Sequence, residues 1–506
     1  MPFVAALSIL PGMTDMTEDT PPRRTKIVAT LGPASASAEI VRALIRAGVD
    51  FFRINASHGD HDTHAQWIQR VRAESESLKL PVGVLYDLQG PKIRMGRFDG
   101  PPRPVRSGDE IVIAVGRPTA GAEYPCDHDF LDEDVKVGDP LLIDDGKVSF
   151  QVTHVEPGTV RCRAADDGAI GSRKGINLPK SAVSTPALTE RDRRDVEFAV
   201  RCDVDAIALS FVRNADDITA LQTLISAHGA TIPVIAKIEK PQALDNLGAI
   251  LDATWGVMVA RGDLGVELSP EQVPIAQKRI IEEARRRCRP VITATQMLES
   301  MTQAPRPTRA EASDVANAVL DGTDAVMLSG ETASGRYPVE SVLMMARIIR
   351  TTQTLHDGPP STRRRERGID TVPEAVADAS CQVAYHLNAH AIVAFSQTGK
   401  TALLTARRRP STPLIAYSPD PRVRNRLCLV WGVQPYLFSE VTNTEELIRN
   451  LNSRLLEDHL ARIGDLLVLV MGAPMDRPGR TNLIMLRRVE GNGASDGESG
   501  PSSHEL

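Results

Sequence analysis

The sequence predicts an α/β protein: a closed (β/α)8 barrel, a small β domain inserted into it, and a further α/β domain after it. Three observations carry that expectation. Eight short apolar runs recur, each ending in polar or glycine-containing residues and followed by a stretch of helical spacing. The rhythm breaks once, between Gly90 and Ser184, where apolar and polar residues alternate between Gly and Pro punctuation. After Arg350 a basic, helix-breaking segment leads into a second strand–helix series.

In chain order, Met1 to Leu10 are apolar but lack a basic start and a small-residue cleavage site, and an acidic, Pro-containing stretch follows to Pro22. Residues 1–23 are therefore expected to be a flexible leader, with Met13 and Met16 as alternative starts. The eight runs are KIVATLG (26–32), VDFFRIN (49–55), VGVLYDLQ (82–89), VDAIALSF (204–211), PVIAKIE (233–239), GVMVARGD (256–263), PVITATQ (290–296) and DAVMLSGE (324–331). Near-continuous apolar character is what parallel strands buried on both faces require. Segments such as 271–287 and 308–320 repeat Ala, Leu and Arg at helical spacing. The barrel is assigned to 24–91 and 184–350. DEIVIAVG, DPLLIDDGKVSFQVTHV and VRCRA are alternating and punctuated by Gly and Pro, so 92–183 reads as an antiparallel β domain inserted after the third barrel strand. GPPSTRRRERG reads as a linker or exposed hinge, and AIVAFS, PLIAY and DLLVLVMG as strands of an α/β domain over 351–490. The polar, Gly/Ser-rich 491–506 is expected to be disordered.

Composition narrows the functional classes. A chain of 506 residues can hold roughly two to four domains and a large core. A net charge of -6 gives no basic footprint, so nucleic acid is not an expected partner. No apolar run is long enough to cross a membrane. The six cysteines lie far apart without metal-ligand spacing, which argues against structural zinc or a disulfide framework and for a reducing cytoplasm.

Reacting groups of a (β/α)8 barrel come from the C-terminal ends of its strands, and polar residues collect there. The second strand ends Arg53-Ile54-Asn55-Ala56-Ser57-His58, and the third Asp87-Leu88-Gln89-Gly90-Pro91-Lys92-Ile93-Arg94. Lys237 and Glu239 are two apart on a strand and share a side, an arrangement that a plain ion pair would also explain. Asp263 follows on the next strand, so two carboxylates on adjacent strand ends suit Mg²⁺, which fills its octahedron with substrate oxygens and water. The Arg261-Gly262-Asp263-Leu264-Gly265 turn opens toward a helix, whose N–H groups can hold a carboxylate. Arg53 and Arg94 add fixed positive charge for phosphate. The set describes a metal-assisted site for a phosphorylated, carboxylated small molecule.

TKIVATLGPAS, RINASHG, DLQGPKIR, LIDDGKV, KGINLP, VMVARGDLGVE, PVITATQMLESM and PRPTRAEASDVANAVLDGTDAVMLSGETASGRYP resemble, in order and spacing, the segments of pyruvate kinases, from Arg24 to Val489. The resemblance implies a TIM barrel with a mobile β-barrel lid and a C-terminal regulatory domain. It implies a phosphotransferase that moves the phosphoryl group of phosphoenolpyruvate to ADP, giving pyruvate and ATP. By the same resemblance Glu239 and Asp263 ligate Mg²⁺, with Mn²⁺ as an alternative ion, and Lys237 stabilises the phosphoryl group in flight. Arg53 meets the substrate phosphate. The backbone of Ala260, Arg261, Gly262 and Asp263, with the Thr295 hydroxyl, holds the substrate carboxylate. Protonation of the enolate is expected through water near Thr295 and Ser329. Asn55, His58, Arg94 and Lys174 are the expected nucleotide contacts, and Asp145 and Lys174 lie on the closing domain. PRPTRAE is expected to be mainly structural.

The sequence departs from potassium-dependent members of the family at Leu88 and Lys92. Their cation site corresponds to Asn55, Ser57, Asp87 and Leu88, and Leu88 lacks a hydroxyl. Lys92 is expected to act there as a tethered cation, making K⁺ unnecessary. Ser396, Gln397, Thr398, Gly399, Lys400 and Thr401 resemble the start of a P-loop without its first glycine. In the family such a loop takes the phosphate of an effector, here a sugar phosphate or a nucleotide monophosphate such as AMP. A homotetramer is implied by resemblance alone. Two rivals share parts of the pattern: another metal–enolate barrel, an aldolase or lyase acting on pyruvate, and an inactive homologue that only binds metabolites.

Overall fold

The computed structural model describes residues 23–116, 124–179, 181, 184–356, 371–438, 444–473 and 480–490. The expected leader, linker and tail fall outside these residues, with one exception. Arg23 is tied down, donating to the Gly48 carbonyl at 2.5 Å and pairing with Asp50 at 2.6 Å. Arg23, expected as the last residue of the leader, is thus bound to the barrel.

Eight parallel strands close into a barrel: Lys26–Thr30, Phe51–Asn55, Gly83–Asp87, Ala206–Leu209, Val234–Ile238, Gly256–Ala260, Val291–Ala294 and Ala325–Leu328. Each lies inside one of the expected runs. The first pairs with the last, Lys26 opposite Ala325 and Ile27 opposite Val326. Val28, Phe51, Leu85, Ile235, Met258, Ile292 and Met327 fill the interior. Cys428 and Leu429 of the C-terminal region join that cluster. The Cys428 thiol lies 3.4 Å from the Pro81 carbonyl, and Asn425 donates to Asp205 at 3.0 Å, both at strand beginnings. The third domain thus stoppers the base of the barrel and leaves the C-terminal mouth open for chemistry.

Between the third and fourth barrel strands lie a curled six-stranded sheet and a two-stranded ribbon. The sheet runs Ile176–Asn177, Pro140–Ile143, Val148–Glu156, Thr159–Ala164, Glu110–Ala114, Tyr124–Pro125. Alternation puts Ile111, Ile113, Leu141, Phe150, Val152 and Val160 on one buried face. The C-terminal sheet has five strands in the order Val433–Leu437, Leu414–Ser418, Ala391–Phe395, Leu466–Met471, Leu483–Arg488. Sequence reading found its three central strands and missed both edges. Pro435 interrupts one, which only an edge tolerates, and the other alternates poorly because it is half exposed.

The PRPTRAE segment is structural, as expected. Thr308 caps helix Arg309–Asp321 in a reciprocal box with Glu311. The Glu311 carboxylate also accepts from the Ser300 N–H at 2.7 Å and the Ser300 hydroxyl at 2.5 Å. Burial alone would raise its pKa, but the hydrogen bonds from Ser300 and Thr308 outweigh it and hold the carboxyl below its ordinary range. A carboxyl depressed in the folded state stabilises fully above its unfolded pKa and loses that contribution as pH falls through the folded value. Glu311→Gln, which keeps the reciprocal cap but loses a charge screened by solvent, is therefore expected to cost about 1 kcal/mol at neutral pH. The gap between variant and parent in thermal melts should close as pH drops below about 4.

Candidate active site

Lys237 and Glu239 emerge at the end of the fifth barrel strand, side by side as the two-residue period requires. Lys237 Nζ lies 2.9 Å from Glu239 Oε1 and 3.4 Å from Asp87 Oδ1, and donates to the Ser210 hydroxyl at 2.7 Å. Burial would lower the lysine pKa, but Asp87 and Glu239 overcome it and hold the ammonium charged well above its ordinary range. Burial pushes Glu239 the other way, up; Lys237 opposes that shift and Asp263 adds to it. Asp263 is thus a like charge felt at Glu239, and a cation held by both carboxylates would relieve that repulsion. Glu239 Oε1 is buried and, although within ion-pair distance of Lys237, carries no aligned hydrogen bond. Its other oxygen accepts from the Phe211 N–H at 2.7 Å. Among the described residues no group of three or more His, Cys, Asp or Glu forms a self-sufficient metal cage. Two carboxylates that repel each other, one of them with a buried oxygen that carries no hydrogen bond, fit a hard divalent ion that takes its remaining oxygens from substrate and water.

Arg53 leaves the second strand and donates from Nε to Asp87 at 2.7 Å and from a terminal nitrogen to the Thr30 hydroxyl at 3.2 Å. Asp87, 1% exposed, therefore orients both cations of the mouth, Arg53 and Lys237. Asp263 corrects one expectation: it sits not on a strand end or in an opening turn but in the first turn of helix Arg261–Glu267, capped by Ala260. The Gly262 N–H donates to the Thr295 hydroxyl at 2.7 Å, which itself donates to the Ala294 carbonyl at 2.6 Å. Thr295 and Gln296 have φ of 72° and 54°, strained for non-glycine residues and worst for a β-branched one. The Arg261 guanidinium holds this bend, donating to the Thr295 carbonyl at 2.7 Å and pairing with Asp314 at 2.7 Å. Ser329, after the eighth strand, has a buried hydroxyl without a hydrogen-bond partner, while its N–H donates to Glu331 at 2.7 Å.

The expected nucleotide residues divide between two bodies. Asn55 and His58 stand at the barrel mouth, Asn55 accepting from the Ser57 N–H at 3.1 Å and His58 exposed. Arg94 and Lys174 belong to the inserted domain, Lys174 pairing with Asp144 at 3.0 Å. No hydrogen bond or ion pair among the described residues joins the two sets. Lys92 requires a correction. Its ion pairs are with Asp145 at 3.3 Å and Asp263 at 3.6 Å, not with Asp87. Asp87 is served by Arg53 and Lys237, and the Leu88 carbonyl accepts from Ser210 at 2.8 Å. In the effector loop Ser396 accepts from the Thr401 N–H at 3.3 Å and Thr401 bonds Thr481 at 2.8 Å. Gly399, at φ 84°, caps helix Lys400–Ala406, and Thr398 and Lys400 face outward.

Sequence reasoning missed Ser210 and Phe211, and it placed Glu331 among the polar strand-end residues without giving it a role. Ser210 and Phe211 closed the VDAIALSF run, so a polar residue at a strand's C-terminal end was the available signal. Glu331 is fully buried and accepts from the N–H groups of Leu298 and Ser329, which only the fold could show.

A lidded barrel whose mouth carries a buried lysine, an arginine on a shared aspartate and two mutually repelling carboxylates defines a phosphotransferase. The family pattern "Pyruvate kinase, barrel domain" matches residues 22–342, and "Pyruvate kinase, alpha/beta domain" matches 374–486. The chain belongs to the pyruvate kinase family. A pyruvate kinase of Mycobacterium tuberculosis is 45% identical over 471 residues, 92% of this chain and 98% of the relative. A Synechocystis protein named pyruvate kinase 2 is 45% identical over 490 residues, covering 95% of this chain and 82% of the relative. A crystal structure of a pyruvate kinase from Cryptosporidium parvum matches with a TM-score of 0.85 at 35% identity, covering 92% and 96% of the two chains.

Proposed function

We propose that the barrel mouth transfers the phosphoryl group of phosphoenolpyruvate to ADP, giving pyruvate and ATP. The observation that carries this reading is Lys237, buried yet held charged by Asp87 and Glu239 with Asp263 beside them. A metal–enolate lyase would need the carboxylates but not a lid carrying Lys174, and an inactive homologue would not need to keep this charge arrangement. Transfer requires positioning and neutralisation more than covalent chemistry. Arg53, oriented by Asp87, meets the substrate phosphate, and Lys237 stabilises the phosphoryl group as it moves. The substrate carboxylate takes the first-turn amides of helix Arg261–Glu267 once the Thr295 hydroxyl yields the Gly262 N–H. Glu239 and Asp263 would hold Mg²⁺ or Mn²⁺, which supplies Lewis-acid stabilisation of the developing enolate when bound. The unpartnered Ser329 hydroxyl can order the water that protonates carbon.

The catalytic unit is 24–91 with 184–350; 92–183 closes over the nucleotide, bringing Arg94 and Lys174 toward Asn55 and His58 and excluding water. Residues 351–490 form a regulatory domain whose 396–401 loop takes a sugar phosphate or AMP, and the enzyme works as a cytoplasmic homotetramer. No helix among the described residues is long and apolar enough to cross a membrane.

The test is pyruvate formation from phosphoenolpyruvate and ADP, with and without K⁺. Lys92 places a fixed ammonium at the mouth, 3.6 Å from Asp263, although not in the position first expected. Activity in K⁺-free and Na⁺-free buffer is expected to stay within about twofold of that with K⁺, since a tethered cation needs no free one. A strong K⁺ requirement would remove Lys92 from that role.

A further inference from the structure

The inserted domain joins the barrel by two chain crossings, and one short barrel helix grips both. The outgoing crossing carries Lys92 and the returning one Asn177. The Ile176 N–H donates to the Ile93 carbonyl at 2.9 Å and the Met95 N–H to the Lys174 carbonyl at 2.7 Å, so the crossings form one ribbon. The Lys92 stem lies across Gly175, where a Cβ would come within 2.8 Å of it, so the two crossings are closely packed. Helix Arg261–Glu267 offers Asp263 and Glu267 four residues apart, on one face. Asp263 meets Lys92 at 3.6 Å. Glu267, 5% exposed, accepts from Asn177 Nδ2 at 3.0 Å and pairs with Lys240 Nζ at 2.5 Å. Lys240 directly follows Glu239, so this second grip is anchored to the strand end that carries a proposed metal ligand.

We propose that Glu267 is a positioning residue that couples the angle of the lid to the placement of Asp263, through Asn177 on the lid and Lys240 on the barrel. A Glu267–Lys240 pair alone would fix the helix whatever the lid did; Asn177 makes the link cross the domain boundary. The joint also has unused capacity. Glu267 Oε2 and Asn177 Oδ1 are buried without partners, and Asn177, Lys92, Lys240 and Gln242 line a cavity of about 120 Å³. Buried acceptors without partners also occur elsewhere in the chain, but here they stand beside free space, and a rotating joint needs both to exchange hydrogen bonds as it turns. The catalytic consequence rests on the assignment of Asp263 to the metal; the mechanical link does not.

Hydrogen exchange on the full-length, metal-free protein reads the link directly. Asn177→Ala is expected to speed exchange of the amides at 264–268 at least about tenfold. In turnover it should lower kcat about tenfold while KM for phosphoenolpyruvate moves less than about twofold, since lid-to-helix coupling acts after binding. The paired substitution N177D/E267Q reverses donor and acceptor across the joint and moves to position 177 the carboxylate for Lys240, which meets the same Glu267 oxygen as Asn177. It should bring exchange and kcat back to within about threefold of the parent, whereas N177D alone, with two facing carboxylates, should be worse than either. Should Asn177→Ala fail to fold, Asn177→Ser carries the same comparison. Unchanged exchange in the single variant, or a pair no better than its worse member, overturns the proposal. A wrong metal assignment would show elsewhere, as parent-like Mn²⁺ binding by Asp263→Asn.

Discussion

Lys237→Met is expected to lower kcat at least about a thousandfold, equivalent to about 4 kcal/mol of transition-state stabilisation. Among the described residues only this ammonium pairs with both Asp87, at 3.4 Å, and Glu239, at 2.9 Å, while donating to Ser210; Arg53 reaches Asp87 alone and cannot replace it. Methionine keeps the length of the side chain and loses the charge. Its second consequence is structural. Asp87 keeps Arg53, but Glu239 loses its cation in a buried setting, which costs stability as any broken buried pair does. The melting temperature should therefore fall together with activity, and saturation with a divalent ion should recover part of the former but not the latter. A coupled pyruvate assay beside calorimetry separates the two effects. Activity within about tenfold of the parent would remove Lys237 from the transfer step.

Glu239→Gln is expected to weaken Mn²⁺ binding at least about a hundredfold, with kcat/KM falling at least as far. The amide oxygen can still accept from the Phe211 N–H, so the strand end should keep its shape. What is lost is one of the two negative charges that the proposed ion would neutralise, the other being Asp263. Equilibrium dialysis with Mn²⁺ reads this without turnover. Binding unchanged in the variant would mean that the ion sits elsewhere, and the roles given to Asp263 and its helix would fall with it.

Much of the architecture was readable beforehand for a physical reason. Parallel barrel strands are buried on both faces, so each must be a short apolar run, and each must turn polar where it reaches the mouth. The inserted domain could be told apart because antiparallel sheets with one wet face alternate. The C-terminal edges escaped because an edge strand such as Val433–Leu437 tolerates a proline that argues against a strand anywhere else. At the site, Lys237 and Glu239 were legible as a pair because a strand's period is two.

Partners across the fold were not legible. Asp263 reads as a strand-end residue until the chain is seen to turn into a helix immediately after Ala260. Lys92 reads as a neighbour of Asp87, five residues before it, yet its ammonium reaches Asp145 and Asp263. A long flexible stem answers to whichever carboxylates the fold brings within reach, and sequence distance does not measure that. Asn177 and Glu267, 90 residues apart, carry no motif linking them.

By itself, then, the sequence determined which chemistry is present: the lysine, the arginine and the two carboxylates at the strand ends, and the order of the domains that carry them. The tertiary structure decided which charge faces which. Local periodicity places a side chain on a face of its own element, whereas closure of a barrel and docking of a lid bring distant elements into ion-pair range.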